Sequence, residues 1–188
     1  MIFKRKAVTL IEVIIVVGLA SMIIVAVMNL FSSGMKGSAK GLAHQTNMES
    51  ASIIMAQIEY DLLRATTILQ PEASATSNSD KAVWKFNSEV LEPGKTSTVT
   101  YSKANEGFGI CREVKMNGGK ELKTIFGKLQ KVNLSFRRFI FNTGSKRYPV
   151  YKDGMLVEVT VSSVDNKRGG SSEAFTLRRL IVVRAPIR

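Results

Sequence analysis

The chain has 188 residues, of which 45% are apolar and 7% aromatic, and its formal net charge is +12. Its one cysteine, Cys111, and one histidine, His44, exclude an internal disulfide framework, a cysteine-rich zinc site and most histidine-dependent metal centres. The basic surplus suits an anionic partner such as nucleic acid, lipid headgroups or an acidic protein face.

An uncharged apolar segment runs from Val13 to Met35, directly after a basic cluster formed by Lys4, Arg5 and Lys6. Twelve of the 19 residues from Val13 to Phe31 are Val, Ile, Leu or Phe, which favours insertion into a bilayer by about 4–7 kcal/mol. The length suits the roughly 20 residues that cross hydrocarbon. We therefore predict a transmembrane helix over residues 8–35, with the N-terminus cytoplasmic and the rest of the chain outside.

A cleaved secretory signal is the alternative interpretation of this segment. Small residues at plausible cleavage spacing follow it, as Ser32 and Gly34 and again as Gly37 and Ala39. The apolar run is longer than the 7–15 residues usual for a signal peptide. The two interpretations predict different mature N-termini.

Glu12 is the one carboxylate at the edge of the apolar span, and an acid in that position is by default a candidate functional residue. The run Lys-Ala-Val-Thr-Leu-Ile-Glu-Val that contains it, residues 6–13, resembles the leader and cleavage site of type IV prepilins and type II secretion pseudopilins. Ala7 and Val8 stand where that family usually has glycine and phenylalanine. The resemblance implies a basic leader at residues 1–7, cleavage between Ala7 and Val8 by a prepilin peptidase, and N-methylation of Val8. It also implies that Glu12 neutralises the terminal amine of a neighbouring subunit and so sets assembly register.

An amphipathic helix is predicted over residues 36–70, as a continuation of the apolar helix. Apolar residues recur at steps of three and four, and Pro71 is expected to end the helix. Asp61 is placed on the polar side of this pattern. Three glycines, Gly34, Gly37 and Gly41, are expected to bend or melt the helix. The apolar stripe comprises seven residues: Met48, Ala51, Met55, Ile58, Leu62, Ala65 and Leu69.

The rest of the chain, residues 71–188, reads as an extracytoplasmic domain of strands and turns. Turn signals lie at Pro93-Gly94, Asn117-Gly118-Gly119, Asp153-Gly154 and Gly169-Gly170. An antiparallel sheet of this kind needs a cover on one face, which the amphipathic helix supplies. The fold class is therefore α+β and, by the resemblance, pilin-like. The predicted strands are Ala82–Phe86, Thr98–Ser102, Gly109–Val114, Glu121–Phe126, Val132–Phe141, Met155–Ser163 and Phe175–Val183.

Three further segments resemble the larger minor subunits of the family, the J-type pseudopilins and W-type pilins. They are Tyr60 to Ala65, Val99 to Ser102 with Cys111-Arg112 following, and Val132 to Phe136. The resemblance implies a structural minor pilin or pseudopilin of the inner membrane that initiates or caps a periplasmic type II secretion pseudopilus or a type IV pilus. Its partners would be the prepilin peptidase and other major and minor subunits.

Catalytic chemistry is not expected, because Cys111 and His44 lie on elements far apart in sequence and a nucleophile needs a base beside it. Cys111 is predicted to be a small buried residue of a strand, and His44 to face solvent or a groove in the helix. No cofactor or metal is predicted.

Two other functions remain open from the sequence. One is DNA binding by a competence pilin at a filament tip, with Phe136, Phe139, Phe141 and Tyr148 stacking on bases; a simple solvated basic face explains the same clusters. The other is an extracytoplasmic domain on a signal anchor that never polymerises. The candidate DNA-binding residues are Arg137, Arg138, Lys146, Arg147, Lys167 and Arg168.

Overall fold

The computed structural model describes residues 9–72, 78–87, 96–104, 108–116, 119–144, 146–147, 150–163 and 174–186. Within these residues there is one α-helix, α1, at Leu10–Leu63. Seven strands follow: β1 Thr67–Gln70, β2 Ala82–Asn87, β3 Thr96–Lys103, β4 Phe108–Met116, β5 Glu121–Asn142, β6 Tyr151–Ser163 and β7 Phe175–Pro186. The chain divides into two units, Met1–Leu42 and Ala43–Arg188.

The first unit is described from Thr9 and is helical from Leu10 onward. Every large apolar side chain between Leu10 and Met35 is exposed, although these residues are the most apolar in the chain. The helix is long and apolar enough to cross a membrane by length and composition. The helix does not melt at the three glycines, because Gly34, Gly37 and Gly41 all lie within α1.

In the second unit the seven strands form one antiparallel sheet in the order β1-β2-β3-β4-β5-β6-β7. Each strand pairs with the one that follows it in sequence, so the sheet is a simple meander. Local connections of this kind carry little loop-closure entropy. The α+β prediction is confirmed at this level: a long N-terminal helix packs on an antiparallel sheet.

The helix covers one face of the sheet through an apolar stripe. Ala51, Ile54, Met55, Ile58 and Leu62 are buried. They pack in one core cluster with side chains from all seven described strands, and the strand residues of that cluster include Ile68, Trp84, Val99, Tyr101, Ile110, Val132, Phe136, Val157, Val159 and Ile181. The spacing of three and four residues on α1 places these side chains on one side of the helix. Of the predicted stripe, Met48 and Leu69 are exposed instead.

The end of the helix was predicted wrongly. α1 ends at Leu63, and the residues expected to complete it, Thr67–Gln70, form β1 instead. Thr66 donates its backbone N–H to the carbonyl of Lys85 at 2.8 Å, so the chain joins the sheet before Pro71 is reached. The β-branched pair Thr66 and Thr67 favours this extended geometry.

β5 joins two segments that were predicted as separate strands. Its first part, Glu121 to Phe126, pairs with β4, and its second part, Gln130 to Asn142, pairs with β6. Between them the register shifts, because Gly109 of β4 faces the longer stretch from Gly127 to Gln130. Gly109 and Gly127 have φ values of +74° and +65°, which only glycine adopts without strain. The predicted break is therefore a bulge within one strand.

The second part of β5 is also linked to the start of the domain. Ser79 and Phe136 exchange two backbone hydrogen bonds, at 2.8 and 2.9 Å. The predicted turn at Asp153-Gly154 is wrong, because both residues lie inside β6 and pair with β5. Phe141 lies so close to Gly154 that a side chain there would collide with the ring, which explains the glycine. The turn signals at Pro93-Gly94, Asn117-Gly118 and Gly169-Gly170 lie outside the described residues.

Candidate functional site

Glu12 lies in the first turn of α1, where Thr9 caps the helix. The backbone N–H of Glu12 donates to the Thr9 carbonyl at 3.1 Å and contacts the Thr9 hydroxyl oxygen at 3.4 Å. A threonine followed three residues later by glutamate is a helix-start pattern. The Thr-Leu-Ile-Glu run thus has a local structural role that the sequence interpretation missed: it fixes where the helix begins.

The Glu12 side chain is exposed on an apolar surface. Within the part of the chain that the structure describes, no basic side chain forms an ion pair with it. The hydroxyls of Ser21 and Ser33 donate to the carbonyls of Gly18 and Leu30 at 2.7 and 2.9 Å, so the helix itself satisfies them. Glu12 is consequently the one charged side chain between Thr9 and Met35.

The processing residues Ala7 and Val8 lie outside the described residues. Nothing in the structure therefore bears on the predicted cleavage or methylation. Of the three residues predicted to act in processing and assembly, Glu12 is the one that the structure describes.

Asp61 forms a buried charged cluster that the sequence analysis missed. It was predicted on the polar side of the helix, but it is buried at the interface between α1 and the sheet. Its carboxylate accepts Nε and Nη2 of Arg112, at 2.6 and 3.0 Å, and the hydroxyl of Tyr101 at 2.7 Å. We call these three residues the Asp61 cluster. It fixes the helix to β3 and β4, and a bidentate arginine of this kind is directional as well as strong.

The Asp61 cluster shifts the pKa values of its basic and phenolic members. Burial, and then the negative charge of Asp61, raises the pKa of Tyr101 far above its ordinary value. The hydrogen bond to Asp61 raises the pKa of Arg112, which stays charged. The cluster is therefore an ion pair with a protonated phenol beside it.

The signal for this cluster was present in the sequence. Asp61 directly precedes Leu62 and lies three residues after Ile58, both on the buried stripe, so it falls on the edge of the same helical face. An acid in that position needs a cation across the interface. The helix alone could not indicate which of the 27 lysines and arginines supplies it.

The candidate DNA-binding residues have different environments. Arg137 is exposed on the face opposite the helix, with its guanidinium 5.2 Å from the centroid of the Phe139 ring. Lys146 and Arg147 are exposed as well. Lys167 and Arg168 lie outside the described residues.

Arg138, by contrast, is held inside the domain. It forms a bidentate ion pair with Asp153, with both N–O distances below 2.9 Å, and donates from Nη1 to the carbonyl of Ile68 at 3.2 Å. Its donors therefore join β5 to β6 and β1 rather than pointing outward. Phe136, expected to stack on bases, is fully buried in the core. DNA binding stays a prediction, and the environments of Arg138 and Phe136 do not support a part for these two residues in it.

The remaining singled-out residues are consistent with structural roles. Cys111 is buried in β4, as predicted, and burial raises the pKa of its thiol. His44 is exposed on α1, and its ring contacts Phe175 edge-on with 5.7 Å between centroids.

No family model, curated protein or solved structure matches this chain. The assignment of function therefore depends on the residues and contacts described above.

Proposed function

We propose that the chain is a membrane-anchored, pilin-like structural subunit, a minor component that initiates or caps a type II secretion pseudopilus or a type IV pilus. The observation that carries this proposal is the pairing of two different helix surfaces on α1. From Leu10 to Met35 the helix exposes large apolar side chains with Glu12 as the one charged group, whereas from Ala51 to Leu62 it packs on the antiparallel sheet.

The charge of Glu12 gives the apolar surface a specific partner requirement. A charge at the centre of a membrane span costs about 2.5–3.5 kcal/mol, and Glu12, at the edge of the span, costs less than that. A cation about 4 Å away recovers roughly 4 kcal/mol at the effective dielectric of a protein surface. The amine released by cleavage between Ala7 and Val8 on a neighbouring subunit is such a cation. A helix in the wrong register would leave both charges unpaired, so this contact selects one register.

The Asp61 cluster adds support from the outer domain. The three segments that resemble larger minor pilins include two that meet in this cluster: Tyr60 to Ala65 supplies Asp61, and the second supplies both Tyr101 and Arg112. These short sequence similarities thus correspond to one buried interaction that fixes the helix to the sheet.

Substitution of Glu12 tests the proposal. In cells that assemble the filament, Glu12→Ala should insert into the membrane as well as the wild type does, because it removes a charge from an apolar segment. It should be depleted at least about tenfold from the sheared filament fraction, since about 1.4 kcal/mol of lost pairing already gives that factor.

The matched control is Glu49→Ala, which removes an exposed acid from the same helix. Glu49 accepts a hydrogen bond only from Gln45, at 3.1 Å, among the contacts of the described residues. This variant should be incorporated normally. Wild-type incorporation of Glu12→Ala, or equal loss of both variants, would contradict the assembly role of Glu12.

A further inference from the structure

We infer that β7 is a strand-addition edge: a site at which an extended, acidic segment of another protein adds an eighth antiparallel strand to the sheet. β7 is the last strand of the sheet order and pairs with β6 on one side. Among the described residues no strand pairs with its other side. Alternate N–H and C=O groups of an edge strand point away from the sheet, where they can pair with another chain.

The length and exposure of β7 distinguish it from the other end of the sheet. β7 has 12 residues, whereas β1 has only four and is contacted by Arg138 through the carbonyl of Ile68. Pro186 removes one N–H at the end of β7, opposite Lys152. The edge that can accept a full ladder therefore extends from Phe175 to Val183.

β7 has exposed apolar side chains against which an added strand could pack. On the face away from the helix, Leu180 lies opposite Leu156, and Val182 lies opposite Gly154. Leu180 is 56% exposed and Val182 is 36% exposed. Apolar side chains on an edge strand are unusual in a protein that leaves the edge free. An added strand would bury both.

Charge indicates the chemistry of the partner. Arg178 and Arg179 lie side by side in the middle of the edge and point to opposite faces of the sheet. Arg178 pairs with Glu158 at 3.0 Å, and Arg179 pairs with Glu59. The Arg178 side chain is nevertheless 68% exposed and the Arg179 side chain 50% exposed. A carboxylate on an added strand opposite Arg178 would continue the row of charges that Glu158 and Arg178 form, and opposite charges stabilise cross-strand pairs. Arg179 lies opposite Val157 and offers a second cation on the other face of the sheet.

The same arginines disfavour a second copy of this chain as the partner. Suppose that two β7 strands pair antiparallel, centred on Arg178 or Arg179, with the outer faces of both sheets on the same side. Each such pairing places an arginine directly opposite the same arginine of the other copy. Like charges directly opposite each other are destabilising. The edge is thus protected from self-association while it stays open to an acidic strand.

Synthetic peptides test this inference on the full-length protein in detergent. The probe is a labelled peptide with the sequence of Phe175–Val183 in which two positions are changed, Arg178→Glu and Arg179→Glu. The reference peptide has the unchanged sequence. By fluorescence anisotropy we expect the acidic peptide to bind at least about tenfold more tightly than the reference, as about 1.4 kcal/mol of charge pairing requires.

Backbone methylation distinguishes strand pairing from nonspecific adhesion. Two versions of the acidic peptide carry N-methyl groups, one on even and one on odd positions. Because a strand pairs through alternate residues on one side, one version should lose binding and the other should keep it. Equal binding of all peptides, or equal loss with both methylation patterns, would overturn the inference.

A protein variant locates the site. Leu180→Glu places a negative charge on the edge, which repels the acidic peptide, and should weaken its binding about tenfold. Leu122→Glu is the matched control, since Leu122 on β5 is also 56% exposed and lies opposite Val114 of β4. Loss of binding in Leu122→Glu but not in Leu180→Glu would refute β7 as the edge. The test uses no filament, so its result is separate from that of Glu12→Ala.

Discussion

Replacing Asp61 with alanine tests whether charge fixes the helix to the sheet in addition to apolar packing. The substitution removes the acceptor of four hydrogen bonds, from Tyr101, Arg112 and Gln57, and leaves the Arg112 guanidinium, 19% exposed, beside a fully buried Tyr101. Removing one partner of a buried ion pair costs about 3–5 kcal/mol. Because Arg112 keeps some access to water, we expect a loss of about 3 kcal/mol in the free energy of unfolding, the lower end of that range.

The single tryptophan provides the assay. Trp84 is fully buried and stacks on Tyr101 with 5.2 Å between ring centroids, so its fluorescence reports on the same region of the core. Thermal unfolding of the full-length chain in detergent should show a melting temperature lower by about 6–12 °C in Asp61→Ala, given roughly 2–4 °C per kcal/mol for a domain of this size.

An exposed ion pair supplies the control for Asp61. Glu158→Ala removes the partner of Arg178 on the outer face, and such pairs contribute about 0–1 kcal/mol. If Asp61→Ala lowers stability no more than Glu158→Ala does, the Asp61 cluster does not hold the helix on the sheet.

Three further changes have definite expected outcomes. Gly109→Ala should destabilise the domain by about 1–3 kcal/mol more than Gly119→Ala in urea unfolding, because both have positive φ but only at Gly109 does an added carbon meet the Phe126 carbonyl; equal losses would contradict this. The raised pKa of Tyr101 keeps its proton on the folded chain, so stability is full below pH about 10 and falls above it. Tyr101→Phe should flatten that fall relative to Tyr60→Phe, and identical pH profiles would refute the cause. Finally, burial and a raised thiol pKa should make Cys111 react with iodoacetamide at least about tenfold more slowly in the folded chain than in denaturant, whereas equal rates would show an accessible thiol.

The sequence predicted the helix and most of the sheet because their patterns depend on local periodicity. Alternation in Val157, Val159 and Val161 identifies β6, and all three side chains are buried in the core. The predicted Phe175–Val183 strand likewise corresponds to β7. These elements needed no knowledge of their neighbours.

The errors occur where a partner decides the structure. Ala65 and Leu69 continue the helical spacing, but pairing between β1 and β2 makes the chain extended from Thr67. Asp153-Gly154 has the composition of a turn, yet Asp153 pairs with Arg138 and Gly154 accommodates Phe141. Contacts between residues distant in sequence override local preference in both cases.

The candidate site divides in the same way. Glu12 could be singled out from the sequence because a lone acid beside an apolar span is conspicuous in composition alone. The Asp61 cluster could be anticipated only in part, because the position of Asp61 beside the buried stripe is local information, whereas its partners lie 40 and 51 residues away. Arg138 was singled out for its neighbour Arg137, whereas only the fold shows that Arg138 is paired with Asp153 of β6.

The N-terminus of the protein purified from cells with an active prepilin peptidase tests the proposed function most directly. We predict that intact-mass analysis will find a chain that begins at Val8, lacks residues 1–7 and carries the mass of one added methyl group. A chain that retains Met1 in such cells, or that begins after the apolar segment near Met35 or Lys40, would contradict a pilin-like subunit whose helix is kept for assembly.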